Sequence, residues 1–307
     1  MRAAIPAVTI SMALVLSACG GGGGGSETGR LSLAVTDAPV DDATSVVVQF
    51  SGVAFKRAGA ASEVVQNLTP SPRQLDLLQY QGGHAALLLD GVSLPAGDYE
   101  WIRLMVDNEV GVRDSYIVLT GGEECELRVP SGAESGLKLN RGFSLPADGS
   151  VALTIDFDLR KSIHAPPGQR GVAEACTQGY LMRPTLRIVD DANVGAIGGH
   201  VDNALITEGC LPKVYVFSGS GMTPDDIEEA DGADADPLVV AGVAVENGST
   251  AYAYRAAFLP PGPYTAAFTC GDDDPAADDT LTFVGTQDVT VQPNLISTVD
   301  FAAPTTS

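Results

Sequence analysis

The sequence predicts an all-β protein of two tandem β-sandwich domains, immunoglobulin-like or transthyretin-like, with one or two short helices. Short segments in which apolar and polar residues alternate recur along the chain, and Gly, Pro, Asn and Asp separate them. This period of two is typical of strands with one buried face. With 35 glycines and 19 prolines among 307 residues, the chain also has the turn residues that many short strands require.

Candidate strands follow one another along the chain. Before residue 190 they are LSLAVT (31–36), SVVVQF (45–50), WIRLMV (101–106), YIVLT (116–120), VALTIDFDL (151–159) and TLRIV (185–189). After it they are GAIGGHVDNA, KVYVFSG, STAYAYRAAFL, YTAAFTC, DVTVQP and STVDFAA. Helical patterns are confined to PRQLDLLQYQ at 72–81 and PDDIEEA at 224–230, so we expect short helices there.

The chain begins with the features of a secretory signal. Arg2 precedes an apolar stretch at 3–16, which is too short to span a bilayer, and Leu-Ser-Ala-Cys follows, ending at Cys19. This tetrapeptide resembles the bacterial lipobox, which implies a lipoprotein signal peptide over 1–18 and an acylated Cys19. The alternative is that Cys19 is only a small residue within an ordinary cleaved signal.

The segment 19–28 then carries six consecutive glycines, which predict a flexible tether between the lipid and the folded chain. The expected location is therefore the bacterial cell envelope, with the lipid bilayer as a partner through acylated Cys19. Enteric lipoproteins that stay in the inner membrane usually carry Asp after the cysteine. Because Gly20 stands at that position, the resemblance favours the outer membrane.

The formal charge of −22 is unevenly distributed. Residues 20–192 include 14 basic and 22 acidic side chains, whereas residues 193–307 include 2 basic and 17 acidic ones. Such a surface repels the phosphates of nucleic acids, so nucleic acid is not an expected partner. Cations, basic proteins and neutral glycans remain suitable partners, and plain solubility is the simpler explanation of the charge.

A turn that leads into a strand occurs at least twice. VSLPAGDYEWIRLMV (92–106) and AFLPPGPYTAAFTC (257–270) share Leu-Pro-x-Gly-x-Tyr before an alternating segment, and FSLPADGSVALTIDF (143–157) is a looser copy. The turn resembles that of transthyretin-like and carboxypeptidase-regulatory-like sandwiches. The alternation stops near 189–201, so we expect one β domain over 29–190 and a regulatory-like sandwich over 193–304.

Four cysteines remain after Cys19, and they do not form a Cys-x-x-Cys pair. In an oxidising compartment an even number favours disulfides, for which three pairings exist. We favour Cys125 with Cys176 and Cys210 with Cys270, because each bridge then stays within one predicted domain.

The first predicted domain resembles a known bacterial family. LSLAVTDAPVDDATSVVVQFSGVAF, RQLDLLQYQGGHAALLLDGVSLPAGDYEWIRLMVD, ALTIDFDLRKSI and GYLMRPTLRIVD look like the lipoprotein domain of unknown function 4382, over about residues 29–190. This resemblance implies a β fold in the cell envelope without an established activity. The positions that we take as family markers are Asp37, Pro39, Gly97, Tyr99, Asp156 and Asp158.

Asp156 and Asp158 are the strongest candidates for chemistry. On one strand face their carboxyl groups would lie about 6.5–7 Å apart, near the separation in glycan hydrolases. This segment resembles a barrel strand of chitinases that reads Asp-Gly-x-Asp-x-Asp-x-Glu, in which the last Glu donates the catalytic proton. Arg160 occupies the position of that Glu here. The alternative is a solvent-facing charged strand face, paired with Arg160, Lys161, Arg103, Arg183 or Arg187. No catalytic residue is therefore assigned, and we expect a non-enzymatic protein.

Two acidic clusters could bind calcium, the one cofactor that the sequence suggests. The first comprises Asp225, Asp226, Glu228, Glu229, Asp231, Asp234 and Asp236, and the second, our metal candidate, comprises Asp272, Asp273, Asp274, Asp278 and Asp279. Neither follows the order of an EF-hand, so solvated loops are the simpler interpretation.

We thus expect a lipid-anchored envelope protein that acts as a binding or structural module for glycan or protein. A glycan hydrolase that uses Asp156 and Asp158 is one alternative, and a calcium-dependent adhesion or structural component is another. A glycan-binding module would show an exposed aromatic platform, whose candidates are Trp101, Tyr99, Tyr252 and Tyr254.

Overall fold

The computed structural model describes residues 27–37, 40–107, 109, 111–130, 136–228, 236–246 and 248–303. The predicted signal peptide, Cys19, most of the tether, Pro39 and the acids at 229–234 lie outside these residues. The described part forms 21 strands and two α-helices of four residues, so the all-β prediction is confirmed. Among these residues no helix has the length and apolar character to cross a membrane.

The residues before 190 form two sheets and one hydrophobic core. Their strands are β1 (Thr28–Asp37), β2 (Ala43–Arg57), β3 (Val64–Asn67), β4 (Arg73–Asp76), β5 (Ala86–Pro95), β6 (Gly97–Val106), β7 (Tyr116–Leu119), β8 (Glu124–Arg128), β9 (Leu137–Leu139), β10 (Phe143–Leu145), β11 (Ser150–Phe157), β12 (Ile163–His164), β13 (Tyr180–Met182) and β14 (Leu186–Asp190). We call residues 27–190 the N-terminal part.

The smaller sheet of the N-terminal part has the order β14-β11-β1-β5, and β1 runs parallel to β11. The larger sheet runs β10-β6-β2-β7-β8-β13-β12, with β3 and β4 on β2 and β9 on β6. Alternate residues of β1 and β11, such as Leu33 and Ile155, are buried in the core, as the period of two predicts. The alternation in the sequence therefore reports correctly which side chains enter the core.

The residues after 195 form one seven-stranded sheet around a separate core. Its strands are β15 (Gly195–Val201), β16 (Lys213–Ser218), β17 (Val239–Val245), β18 (Tyr252–Leu259), β19 (Gly262–Thr269), β20 (Phe283–Val291) and β21 (Ile296–Thr298), in the order β20-β19-β16-β17-β18-β15-β21. We call residues 195–303 the C-terminal part. Strand β17 pairs with β16 through its first half and with β18 through its second half, so it links the two halves of the sheet.

Strand β16 is buried on both faces. Val214 and Val216 enter the main core of the C-terminal part, whereas Tyr215 and Phe217 join a smaller cluster with Ile227. A continuous apolar segment of this kind is typical of a strand that is covered on both sides. Tyr215 therefore lies on a face of β16 that other elements cover. The candidate functional site lies on this face.

The repeated Leu-Pro-x-Gly-x-Tyr segments form the same local structure in both parts. The Tyr99 hydroxyl donates to the Pro95 carbonyl oxygen at 2.7 Å, and the Tyr264 hydroxyl donates to the Pro260 carbonyl oxygen at 2.7 Å. Gly97 has φ +133°, and a Cβ there would come within 3.0 Å of the Arg57 side chain. The segment thus requires glycine at this position and uses tyrosine to close the turn.

The predicted helices at 72–81 and 224–230 are wrong. Arg73–Asp76 is strand β4, which hydrogen-bonds to β2, and only Leu77–Gln79 makes a 3₁₀ turn. Residues 224–228 form no helix, and the rest of that segment lies outside the described residues. Pairing with the long strand β2 outweighs the local helical preference of the first segment. The two α-helices are α1 (Leu159–Ser162) and α2 (Ala175–Gln178).

Both expected disulfides form. Cys125 bonds to Cys176 across 51 residues, and Cys210 bonds to Cys270 across 60 residues. The predicted pairing is confirmed, and each bridge closes a long loop within one part.

Candidate functional site at the junction of the two parts

Strand β11 ends at the junction between the two parts. Its core-facing residues alternate with Thr154 and Asp156, and Thr154 is buried although it points away from the core. The Asp156 carboxylate is ion-paired with Arg187, whose guanidinium also donates to the Phe258 carbonyl oxygen at 2.9 Å. The expectation of a solvent-facing charged strand face is therefore wrong, because the C-terminal part covers this face.

Asp156 and Asp158 have separate roles. Strand β11 ends at Phe157, and Asp158 caps α1 by accepting a hydrogen bond from the Lys161 amide at 3.2 Å. Burial raises the pKa of Asp156, and Arg187 opposes this rise. The two carboxylates thus do not share a strand face. An ion pair with an arginine is the alternative to a catalytic pair that the sequence suggests, and Asp156 forms one with Arg187.

Arg160, two residues further on, lies at the centre of a buried charge cluster. Its side chain is 2% exposed, and it donates to Asp41 Oδ2 at 2.9 Å and to the Asp273 carbonyl oxygen at 3.1 Å. Lys213 of β16 also pairs with Asp41, and the Tyr215 hydroxyl donates to Asp273. We call these five residues, which come from both parts of the chain, the junction cluster.

Attraction and repulsion both act among the charges of the junction cluster. Burial alone would raise the pKa of Asp41, but the Arg160 and Lys213 cations outweigh it, so this pKa lies below its ordinary value. Burial and the Arg160 charge together lower the pKa of Lys213. Burial also raises the pKa of Asp273, and the Tyr215 hydroxyl and Arg160 oppose this rise. The carboxylates Asp41 and Asp273 therefore depend on neighbouring cations and on the Tyr215 hydroxyl to remain ionised.

Arg170 and Lys161 make further contacts between the two parts. Arg170 pairs with Asp42 and with Asp274 Oδ1 at 3.2 Å, and it donates to the Asp273 carbonyl oxygen at 2.9 Å. Lys161 of α1 pairs with Asp236. The segment 271–279 of the C-terminal part is thus held against the N-terminal part by two arginines.

A cavity of about 370 Å³ adjoins these contacts. Ile117, Leu159 and Ile163 contribute apolar walls, and Arg170 and Asp274 contribute charged ones. The further lining residues include Asp42, His164, Pro166, Pro167, Tyr180, Pro275 and Ala276. We call it the junction cavity, because both parts line it.

The predicted calcium residues are divided among different environments. Asp272 and Asp278 are exposed, and Asp274 pairs with Arg170. Asp273 and Asp279 instead lie close to Asp226, so that one carboxylate oxygen of each lies within 4.8 Å of the others. The structure therefore joins one acid of the first cluster with two acids of the second.

The four aromatic candidates do not form a shared platform. Tyr99 is buried and stacks on Phe143 with ring centroids 4.7 Å apart, and Tyr254 is buried with its hydroxyl bonded to the Val299 carbonyl oxygen. Trp101 is half-buried under the Lys138 ammonium, and Tyr252 is half-buried. A register shift at Lys56/Arg57 of β2 places Tyr99 and Trp101, which are two residues apart on β6, in different environments.

Sequence reasoning missed Asp41, Lys213 and Tyr215. One signal was present, because Lys213 is one of two basic residues after residue 192 and directly precedes an apolar segment. A cation at the start of a strand buried on both faces requires a buried counter-charge. That signal, however, does not identify the partner residue.

Of the positions taken as family markers, Asp37 is buried, and Pro39 lies outside the described residues.

Solved bacterial structures align only loosely with this chain. A candidate adhesin from Bacteroides ovatus ATCC 8483 is 8% identical with a TM-score of 0.23, and the match covers 92% of this chain and 94% of that one. The minor pilin GBS52 of Streptococcus agalactiae is 9% identical with a TM-score of 0.20, covering 90% and 98%. A leucine-rich repeat protein from Bacteroides thetaiotaomicron VPI-5482 is 12% identical with a TM-score of 0.21, and the match covers 91% of this chain.

This chain spans 26% of that leucine-rich repeat protein and 34% of the Bacillus anthracis TIE protein. These TM-scores are too low to establish a shared fold.

The comparison with curated proteins gives no match. The family described as "Domain of unknown function (DUF4382)" matches residues 28–184, which include β1 to β13, both α-helices and most of the N-terminal side of the junction. This match spans half of the chain. The chain therefore belongs to the DUF4382 family.

Proposed function

We propose that this chain is a lipid-anchored, non-catalytic binding protein of the bacterial envelope that holds a neutral glycan in the junction cavity. The proposal includes a DUF4382 domain over 29–190 and a regulatory-like sandwich over 193–304. The observation that carries it is the cavity itself, since ligand sites occur preferentially where two domains meet. Its volume of about 370 Å³ lies within the range of small-ligand pockets.

The lining of the cavity favours a neutral, hydroxyl-rich ligand. Asp42 and Asp274 together exceed the Arg170 charge by one, so the cavity offers hydrogen-bonding groups and a slightly negative lining that does not favour an anion. The apolar walls at Leu159 and Ile163 suit the carbon faces of a sugar ring. The strongly negative chain would repel an anionic ligand.

Binding is a better interpretation than hydrolysis. A glycan hydrolase needs two carboxyl groups that face the same bond, one of which carries a proton. Asp156 is held by Arg187, and Asp158 is held by the first turn of α1. A two-aspartate mechanism would require both side chains to leave these partners.

The ligand proposal is tested by filling the cavity. Ala276 lines the cavity and is exposed, so Ala276→Trp should fill it without disturbing a core, whereas the adjacent exposed Ala277 does not line it and Ala277→Trp is the matched control. Both changes are made in the chain that carries Cys19→Ala, and binding is measured on a glycan array and in a pulldown of envelope proteins. We expect glycan binding that Ala276→Trp abolishes and Ala277→Trp preserves.

Glycan binding that survives Ala276→Trp would place the site elsewhere. An envelope protein that is captured only while the cavity is open would replace the glycan as the ligand.

The location is tested through Cys19. With intact Cys19 the chain should remain in the membrane fraction and enter the detergent phase, because acyl chains hold it at the bilayer. With Cys19→Ala it should become soluble. A Cys19→Ala chain that stays membrane-bound would refute the lipid anchor and leave the cavity proposal intact.

A further inference from the structure

Three carboxylates from two distant loops meet beside the junction cluster. Asp226 belongs to the connection between β16 and β17, and Asp273 and Asp279 belong to the connection between β19 and β20. One oxygen of each lies within 4.8 Å of the other two. Asp226 is 2% exposed and Asp273 is fully buried, so solvent cannot fully screen their charges.

The cations of the described residues neutralise this group only in part, because among them Arg160 alone forms an ion pair with a member, at 3.5 Å from Asp273 Oδ2. Arg160 and Lys213 both pair with Asp41, and Arg170 pairs with Asp42 and Asp274. The contacts of Asp226 and Asp279 in the described part are backbone amides instead: the Asp279 amide donates to Asp226 Oδ2, and the Asp274 amide donates to Asp279 Oδ2. Burial raises the pKa of Asp226, and the Asp273 charge raises it further. Negative charge therefore accumulates here.

One carboxylate oxygen of Asp273 lacks a hydrogen-bond partner among the described residues. Its Oδ2 accepts a hydrogen bond from the Tyr215 hydroxyl and lies 3.5 Å from an Arg160 nitrogen. The buried Oδ1 has no hydrogen-bond partner among the described residues, although the nearby Ile227 amide lowers the pKa of this carboxyl group. A buried carboxylate oxygen without a donor is unfavourable, so such atoms in proteins usually have a ligand, an ion or water. Oδ1 is thus the Asp273 oxygen that is available to a ligand.

We propose that Asp226, Asp273 and Asp279 bind one calcium ion, which links the two loops. Carboxylate oxygens are the ligands that hard divalent cations prefer, and calcium accepts six to eight oxygens in irregular arrangements. Backbone carbonyls and water would complete the coordination. The proposal does not depend on the glycan, on the lipid anchor or on any catalytic role.

The cation would have a direct structural effect. The segment 271–279 also carries Asp273 of the junction cluster and both Asp274 and Ala276 of the cavity wall. A calcium ion bound by Asp273 and Asp279 would hold this segment to the loop of Asp226. The ion would therefore order the wall of the junction cavity.

The test uses the full chain in detergent, treated with a chelator and then titrated with calcium chloride. Calorimetry and thermal unfolding are followed for the wild type and for Asp226→Asn and Asp279→Asn. The controls are Asp272→Asn and Asp278→Asn, which remove the same charge from exposed neighbours in the second loop. Magnesium chloride at equal concentration measures general screening of the acidic surface.

We expect one calcium per chain, with a dissociation constant of about 0.1–1 mM, as in extracellular calcium modules. Asp226→Asn and Asp279→Asn should weaken binding at least about tenfold, the change that 1.4 kcal/mol represents. The controls should stay within about twofold of the wild type. Because Asp279 is only half-buried, Asp279→Asn carries the test if Asp226→Asn does not fold.

Three results would overturn the proposal. The first is the absence of both heat and a melting shift in the wild type at about 10 mM calcium, ten times the weakest expected dissociation constant. The second is an equal shift in the wild type and in the two site variants. The third is an equal loss in the site variants and the exposed controls, because general screening would explain it.

Discussion

The junction cluster predicts a large cost for replacing Arg160 with methionine. Methionine keeps much of the aliphatic volume of arginine but removes the charge that contacts Asp41 and Asp273. Removing one partner of a buried ion pair typically costs about 3–5 kcal/mol, because the other charge stays buried without compensation. Arg160→Met should therefore act far more strongly than the loss of a surface charge.

The environment places the cost at the lower end of that range. Asp41 keeps Lys213, and Asp273 keeps the Tyr215 hydroxyl, so neither carboxylate loses every partner. The variant also removes the repulsion between Arg160 and Lys213, which lowers the pKa of that lysine after the larger effect of burial. We expect a loss of about 3 kcal/mol, which corresponds to a melting temperature lower by roughly 6–12 °C.

The assay compares urea and thermal unfolding of Arg160→Met with those of Arg113→Met. Arg113 pairs with Glu124 on the surface, where its side chain is 62% exposed, and such pairs contribute about 0–1 kcal/mol. Trp101, the single tryptophan of the sequence, reports the N-terminal part by fluorescence, and circular dichroism reports both parts. If Arg160→Met costs no more than Arg113→Met, the cluster does not hold the two parts together.

Three further predictions concern other sites. Because burial and then the Asp273 charge raise the folded-state pKa of Asp226, its ionised form costs stability at neutral pH. In chelator, Asp226→Asn should resist urea better than the wild type at pH 7, and this gain should fade as the pH falls and vanish below about pH 3, where both folded and unfolded carboxyl groups are protonated. Replacing Cys210 and Cys270 with alanine opens a link across 60 residues and should cost about 2–5 kcal/mol in urea unfolding. Tyr99→Phe removes the hydrogen bond to the Pro95 carbonyl oxygen and should cost about 1 kcal/mol, whereas a neutral result would make that bond dispensable.

The sequence predicts the strands well because alternation is a local property. It identifies the core positions of β11, the Leu-Pro-x-Gly-x-Tyr turn and the cysteine pairing, each of which follows from short segments or from the order of the chain. It fails at 72–81, because β4 forms only when β2, a distant segment, is present to pair with it. Alternation also shows that Asp156 lies on a polar face, but it does not show whether water or protein covers that face.

The junction cluster is beyond local reasoning for the same physical reason. Arg160 and Asp41 are 119 residues apart, and Lys213 and Asp41 are 172 residues apart. The need for a buried partner can be inferred from a charge beside apolar residues, whereas the identity of the partner depends on how the two parts meet. Charge at such an interface fixes orientation more than it adds stability, because desolvation offsets most of the attraction.

One segment, residues 271–279, connects the three features of the junction. It provides Asp273 to the junction cluster, Asp274 and Ala276 to the cavity, and Asp279 to the proposed calcium site. A cation that orders this segment lowers the entropic cost that a ligand in the cavity would otherwise bear, so calcium should tighten ligand binding. Thermodynamic linkage then requires the ligand to tighten calcium binding by the same factor. If titrations of each in the presence of the other show no such coupling, the calcium site and the cavity are independent, even if both exist.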